Sequence, residues 1–155
     1  MNHNIIKFLQ MNRGNWVVQN NFYNLSINDA LQANYTVQNT LHHILLQSGL
    51  KNDDCIFSIS DNYITDYLII PNSQNTDYDT GIIVRDNRNF KISRLYGKFL
   101  LNNNFSLMSY FNNDHFQIYE KIWFEHINLR LKIQVVKEFG HTILISFSSE
   151  IRKQN

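Results

Sequence analysis

From residue 55 to the C-terminus the chain alternates apolar and polar positions with period two. That is the mark of strands whose two faces meet different surroundings. Strands are predicted over residues 55–60, 64–71, 80–85, 90–93, 95–101, 105–111, 115–125, 128–137 and 141–151. The connectors "RDNRN", "LNNN", "NNDH" and "EFGH" are Asn, Asp and Gly clusters, which favour turns. The single proline, Pro71, falls where a strand should end. "NSQNTDYD", residues 72–79, is polar, has no apolar anchor and reads as a mobile loop. The first fifty residues follow another rhythm. Ile5, Ile6, Phe8 and Leu9 have near-helical spacing and predict a short helix over 4–11, stopped at Gly14. Residues 15–27 and 32–39 read as a hairpin. Residues 40–49 put Leu41, Ile44 and Leu45 on one helical face and predict a further helix, capped by Asn39 or Thr40 and ended by Gly49.

Antiparallel strands in chain order imply an up-and-down arrangement. Left open, a sheet of that size exposes two unpaired edges, so closure into a barrel is the economical solution. Eight or more tilted strands leave room inside for one small ligand. The expected fold is therefore mainly β: an up-and-down antiparallel β-barrel with a short N-terminal helix, which can plug one end, and one further helix.

Composition narrows the function. The 155 residues suit one domain, 1–155, large enough to bury a core without staples. Fourteen Lys and Arg against thirteen Asp and Glu form no basic stripe, which argues against nucleic acid as a partner. There is no apolar run of 18 residues, so no membrane-spanning helix is expected. Cys55 is the only cysteine, which excludes an internal disulfide and points to a reducing compartment. Asp53 and Asp54 beside it disfavour a thiolate. The six histidines show no metal-ligand spacing, and no metal is expected. There is no Gly-rich phosphate loop and no nucleophile elbow. Abundant Asn, Ile, Lys and Tyr suggest an AT-rich genome, such as that of a plastid or a small marine cyanobacterium.

The chemistry concentrates in "YEKIWFEHINLRLKIQVVKEFG", residues 119–140. Glu120 shares a strand face with Phe116, Ile118, Ile122 and Phe124. Burying that carboxylate alone would be costly, and a cation from a neighbouring strand, or a ligand's N–H groups, would remove the cost. Arg130, Lys132 and Gln134 share one face of the next strand, opposite Leu129, Leu131, Ile133 and Val135. In the last strand Ser146, Ser148 and Glu150 alternate with Ile145, Phe147 and Ile151. Either the leucines point in and the charges out, or the mixed faces line a cavity. Parity alone leaves both open. Trp16 and Trp123 read as core anchors or cavity walls, and Arg85, Arg88 and Arg94 as surface charges flanking a turn.

The motifs "GNWVVQNNFYNL" (14–25), "GIIVRD" (81–86), "RLYGKFLLN" (94–102), "YEKIWFEHINLRLKIQVV" (119–136) and "SFSSEIR" (146–152) together resemble the S-type phycobilin lyase family. The resemblance spans nearly the whole chain. It is strongest where the family reads E-R-x-W-F, N-L-R-x-R and S/C-S-E-I-R, here Glu120–Phe124, Asn128–Lys132 and Ser149–Arg152. The family's G-x-W-x-S-Q-R start reads Gly14 to Asn20 here, without the Ser and the Arg, and Lys132 stands where Arg is usual. Family tryptophans near residues 59–65 are absent, with Tyr63 and Tyr67 placed to fill part of that wall. The resemblance implies a lipocalin-like barrel that binds an open-chain tetrapyrrole, such as phycoerythrobilin, as substrate and transfers it to a cysteine of a phycobiliprotein subunit. No tightly bound cofactor is implied. Glu120 and Arg130 fall on positions tied to activity, and Lys132, Glu150, Trp123, Tyr63 and Tyr67 on a bilin-binding wall. The plastid stroma or a cyanobacterial cytoplasm would be the site of action. An outward apolar face would favour a homodimer. A plain carrier barrel and a phycobilisome assembly factor are the alternative readings.

Overall fold

A computed structural model describes residues 4–43, 55–60, 64–72, 79–87 and 94–154. Helix α1 (Asn4–Asn12) leads into β1 (Gly14–Asn24) and β2 (Asp29–His43). Then follow β3 (Cys55–Ser60), β4 (Ile64–Pro71), β5 (Asp79–Asn87), β6 (Leu95–Leu101) and β7 (Ser106–Asn112). The last three are β8 (Phe116–His126), β9 (Leu129–Glu138) and β10 (His141–Arg152). Each strand pairs antiparallel with its chain neighbours, and β1 pairs also with β10, closing a ten-strand barrel. No helix among the described residues is long and apolar enough to cross a membrane.

The turns set the register. Between β9 and β10, Phe139 (φ 48°) and Gly140 (φ 80°) both take positive φ, as in a two-residue type I′ turn. His141 then faces Glu138, and the rest of the ladder follows up to a shift between Thr142 and Leu144. One element departs from expectation. Residues 40–43, read from periodicity as the start of a second helix, continue β2 and pair with residues 55–58 of β3. Backbone pairing across the barrel outweighs a helical apolar spacing only ten residues long. Residues 44–49 of that expected helix, the expected strand at 90–93, and residues 73–78 of the expected loop lie outside the described residues.

Helix α1 closes one end. Ile5, Phe8 and Leu9 pack with Ile69, Ile83, Phe99, Leu101, Leu107 and Phe111 in one core cluster that fills this end of the lumen. Asp79, the first residue of β5, accepts a hydrogen bond from the Ile5 backbone N–H at 2.6 Å, satisfying a free donor at the helix start. At the other end Arg152 donates to the carbonyls of Met11 and Arg13, both at 2.5 Å, where a cation suits the helix C-terminus. Trp16 is fully buried and donates its indole N–H to the Asn12 carbonyl at 2.9 Å. The guanidiniums of Arg130 and Arg152 lie 4.2 and 4.4 Å from its ring centroid. Arg130 also donates to Glu150 and, at 2.8 Å, to Asn12 Oδ1.

The outer surface of the last strands is unusually apolar. Met108, Tyr119, Ile133, Ile145, Phe147 and Ile151 are all exposed. They form adjacent cross-strand rows, because Ile133 faces Phe147 and Tyr119 faces Val135, which faces Ile145. The expectation of self-association rests on this face.

Two stability predictions follow from the packing. A Cβ on Gly97 would lie 2.3 Å from the Tyr110 carbonyl oxygen and 2.8 Å from the Phe111 ring. Gly97→Ala should therefore cost about 1–3 kcal/mol through overpacking, read as a lower urea midpoint at constant m. Arg130 and Glu150 are a buried pair, their side chains 5% and 9% exposed. Arg130→Ala should cost about 3–5 kcal/mol because Glu150 is left unpaired. The Arg130→Ala/Glu150→Ala double variant should lose clearly less than the two single losses added; strict additivity in denaturation would show that the pair does not act as a unit.

Candidate functional site

Cross-strand register builds the site in rows along the inner wall. Arg130 of β9 faces Glu150 of β10, which faces Val18 of β1, which faces Tyr35 of β2. One step along, Ile122 faces Lys132, which faces Ser148, which faces Asn20. In the next row Ser109, Glu120, Gln134, Ser146 and Phe22 follow one another around the wall. The mixed faces of β8, β9 and β10 thus point inward; the leucine and isoleucine faces of β9 and β10, and the Tyr119, Lys121 and Trp123 face of β8, point outward. Of the two parities open in the sequence, the barrel takes the second.

These rows and the opposite wall enclose a cavity of about 230 Å³. Its lining includes Asn20, Tyr35, Tyr67, Arg85, Arg130, Lys132, Gln134, Ser148 and Glu150, with Val18, Phe22, Val37, Phe57 and Ile59 as apolar wall. Glu120 is set back from it. Its side chain is only 4% exposed, and it lines a small apolar void of about 30 Å³ that shares Tyr67, Ile59 and Ile122 with the cavity.

Three groups converge on one oxygen of Glu120. Gln134 Nε2 donates to Oε1 at 2.7 Å, Arg85 Nη1 at 3.3 Å, and Lys132 Nζ lies 4.0 Å away. Among the described residues Oε2 carries no hydrogen bond, so half of the carboxylate's acceptor capacity is unused. The cations are more open than the carboxylate that holds them: Arg85 is 27% exposed and Lys132 23%. Tyr67 lies against the Arg85 guanidinium, 5.9 Å from ring centroid to Cζ.

Electrostatics keeps these groups charged. Burial pushes Glu120 up, but Lys132, Arg85 and the Gln134 hydrogen bond more than offset it, and the carboxyl ends below its ordinary value. Burial pulls Lys132 down, while Glu120, Tyr67 and Glu150 hold it above the ordinary lysine value. Tyr67 is raised, chiefly by burial, and stays a neutral phenol. Burial lowers Arg130 despite Glu150 beside it, but a guanidinium starts too high to lose its proton.

The structure brings together five of the seven residues singled out from sequence: Glu120, Arg130, Lys132, Glu150 and Tyr67. Trp123 is a correction. It sits on the outer face of β8, its indole N–H bonded to Glu125 at 2.7 Å and its ring under Lys121 at 5.3 Å. The parity that turns Glu120 inward necessarily turns Trp123 outward. Tyr63 lies outside the described residues. Arg85, read from sequence as a surface charge, is a second correction: it faces Tyr67 across the β4–β5 ladder and points into the lumen. A visible signal existed, since Arg85 shares parity with Gly81 and Ile83, but the nearby turn residues masked it. Asn12, Asn20, Tyr35 and Gln134 were likewise not singled out. Arg130 is inward as expected yet fully engaged by Glu150, Asn12 and Trp16, which leaves Lys132 and Arg85 as the available cations.

Comparison with known proteins agrees with this architecture. The family model for CpeS-like proteins matches residues 54–153. Chromophore lyase CpcS/CpeS 2 of Synechococcus sp. (strain JA-3-3Ab) is 29% identical over 94 residues, 61% of this chain and 50% of that one. The chain thus matches only about half the length of that relative. Chromophore lyase CpcS/CpeS 1 of Trichodesmium erythraeum (strain IMS101) is 24% identical over 176 aligned positions, covering 97% of this chain and 98% of the other. Among solved structures, the S-type phycobiliprotein lyase CPES from Guillardia theta superposes with a TM-score of 0.69 at 14% identity, covering 97% of this chain and 93% of that one, a likeness of fold. With residues 54–153, well over half of its length, under the family model, the chain belongs to the CpeS-like family.

Proposed function

We propose that the barrel binds an open-chain tetrapyrrole, phycoerythrobilin or a close relative, and delivers it to a cysteine thiol of a phycobiliprotein subunit. The observation that carries this reading is the arrangement around Glu120: two partly open cations, Arg85 and Lys132, held side by side by a carboxylate recessed behind them. A ligand bearing two carboxylates meets that wall with charge-assisted hydrogen bonds. A bilin has two propionates. As they draw Arg85 and Lys132 toward the cavity, Oε1 of Glu120 is released and joins the already unbonded Oε2 as an acceptor for the pyrrole N–H row. An ionised Glu120 then favours a protonated chromophore, whose ring A ethylidene is the more electrophilic. The acceptor's sulfur adds to that double bond, the thiol proton ends on the ring system, and nothing leaves. In this mechanism the lyase orients and protects the bilin rather than forming a covalent intermediate with it.

The cavity is too small to enclose a whole tetrapyrrole. Sites for drug-sized ligands run to roughly 300–1,000 Å³, and this cavity holds about 230 Å³. A tetrapyrrole seated here projects from the opening, where a second protein's thiol can reach it. Arg130, Glu150 and Trp16 take a positioning role, fixing the α1 floor beneath the ligand.

Mixing the protein with phycoerythrobilin should give a red-shifted, fluorescent complex. Lys132→Ala and Arg85→Ala should each weaken it about 10-fold, the loss of one charged hydrogen bond. Adding an acceptor subunit should then leave colour that survives denaturation on the acceptor. Binding with release unchanged by the acceptor would support the carrier reading, and acceptor binding with an empty cavity the assembly-factor reading.

The Glu120 network also sets a pH dependence. The folded value of Glu120 lies below its ordinary 4.5. The stability it contributes is therefore complete above 4.5 and is lost as pH falls through the lower folded value. The folded value of Lys132 lies above its ordinary 10.5, so its contribution is complete below 10.5 and is lost as pH rises through the raised value. Wild-type protein should exceed Glu120→Gln in urea midpoint across the neutral range. The gap should close well below pH 4.5, where both side chains are neutral. A gap constant to the lowest pH would remove Glu120 from the network.

A further inference from the structure

One group in the cavity wall is left unsatisfied by everything described so far. Asn20 sits on the inner face of β1, 8% exposed, and its Oδ1 is buried without a hydrogen-bond partner among the described residues. Its Nδ2 donates to the Tyr35 hydroxyl oxygen at 3.3 Å. With that bond made, the hydroxyl hydrogen of Tyr35 remains available, since no acceptor for it is found among the described residues. Among the described residues two other buried side-chain atoms lack partners, Asn39 Oδ1 and Ser106 Oγ, but neither residue lines the cavity. An unpaired buried acceptor is costly unless something bonds to it. Asn20 and Tyr35 together therefore present the cavity with one open acceptor beside one open donor.

The surroundings are neutral. Asn20 faces Ser148 on one side and Ala33 on the other, and Val18, Phe22 and Val37 complete this stretch of wall. The Ser148 hydroxyl is already donated to Glu150 at 3.2 Å. Lys132 lies in the same row two strands away, roughly 10 Å at the usual strand spacing. A carboxylate belongs at the Lys132 end of that row. The Asn20 end suits an uncharged group carrying an N–H and a C=O side by side.

We propose that Asn20 and Tyr35 form a neutral subsite for the lactam edge of a terminal tetrapyrrole ring. The lactam N–H donates to Asn20 Oδ1, and the Tyr35 hydroxyl donates to the lactam carbonyl. With the propionates on the Lys132 side, this contact fixes which way round the chromophore sits. The proposal rests on the bilin-binding reading above and adds to it an orientation determinant.

The test separates the two ends of the wall with two ligands, phycoerythrobilin and its dimethyl ester, which keeps the lactams and loses the carboxylates. Asn20→Leu should weaken both about 10-fold, and Tyr35→Phe should weaken both several-fold. Lys132→Ala should weaken the free acid and leave the ester unchanged. Tyr35→Phe removes a single hydroxyl, so it carries the test should Asn20→Leu fail to fold. Wild-type affinity of the Asn20 and Tyr35 variants for both ligands would overturn the subsite while leaving the bilin reading intact. A loss confined to the free acid would overturn it too, because the residues would then act through a carboxylate. Failure of the wild-type protein to bind either ligand would overturn both readings.

Discussion

A guanidinium buried between a helix and a barrel is the constraint on which the rest of this fold turns. Arg130 is held by Glu150 within the sheet, by Asn12 at the end of α1, and by the face of Trp16. Removing a charge from water costs several kcal/mol, and only such a complete set of partners makes it tolerable. The contacts come from three elements, β10, α1 and β1, so satisfying the charge also fixes the helix against the wall. The floor of the cavity is thereby positioned by electrostatics, where Ile5, Phe8 and Leu9 alone would leave a non-directional apolar contact.

Above that floor the same charge types serve a different purpose. Glu120 holds two cations whose faces remain open, and it does so with one oxygen. The first pair is closed on itself and holds structure; the second cluster has capacity to spare. Arg130 and Lys132 are only two residues apart on the same face of β9, so the closed pair and the open cluster sit side by side.

How much of this was legible in the sequence depended on whether local pattern and tertiary pairing agreed. Period-two alternation located β3, β4 and β6 at their observed bounds, because strand faces and turn residues there speak with one voice. Residues 40–43 failed because apolar spacing over a few residues fits helix and strand alike, and only β3 decides between them. The site was half legible. Glu120, Lys132 and Glu150 stood out as charges among apolar neighbours, yet which face pointed inward could not be read from any single strand. Once Glu120 is inward, strict alternation sends Trp123 out. Arg85 was missed for a related reason: its parity with Ile83 was there to read, but its partners Tyr67 and Glu120 lie on other strands, which proximity in the chain does not reveal.

Closure of the sheet through β1 and β10 has a consequence for biogenesis. The pairs Trp16–Arg152 to Asn24–Leu144 join the two ends of the chain, the contacts of greatest sequence separation and the slowest kind to form. During synthesis a ribosome would release nine strands before the tenth could complete the cylinder. Asn20 lies on the first strand and Glu150 on the last, so the chamber between them comes into being only at that final step. Until β10 pairs with β1 the cavity lacks part of its wall, so any occupant can be enclosed only after the sheet has closed.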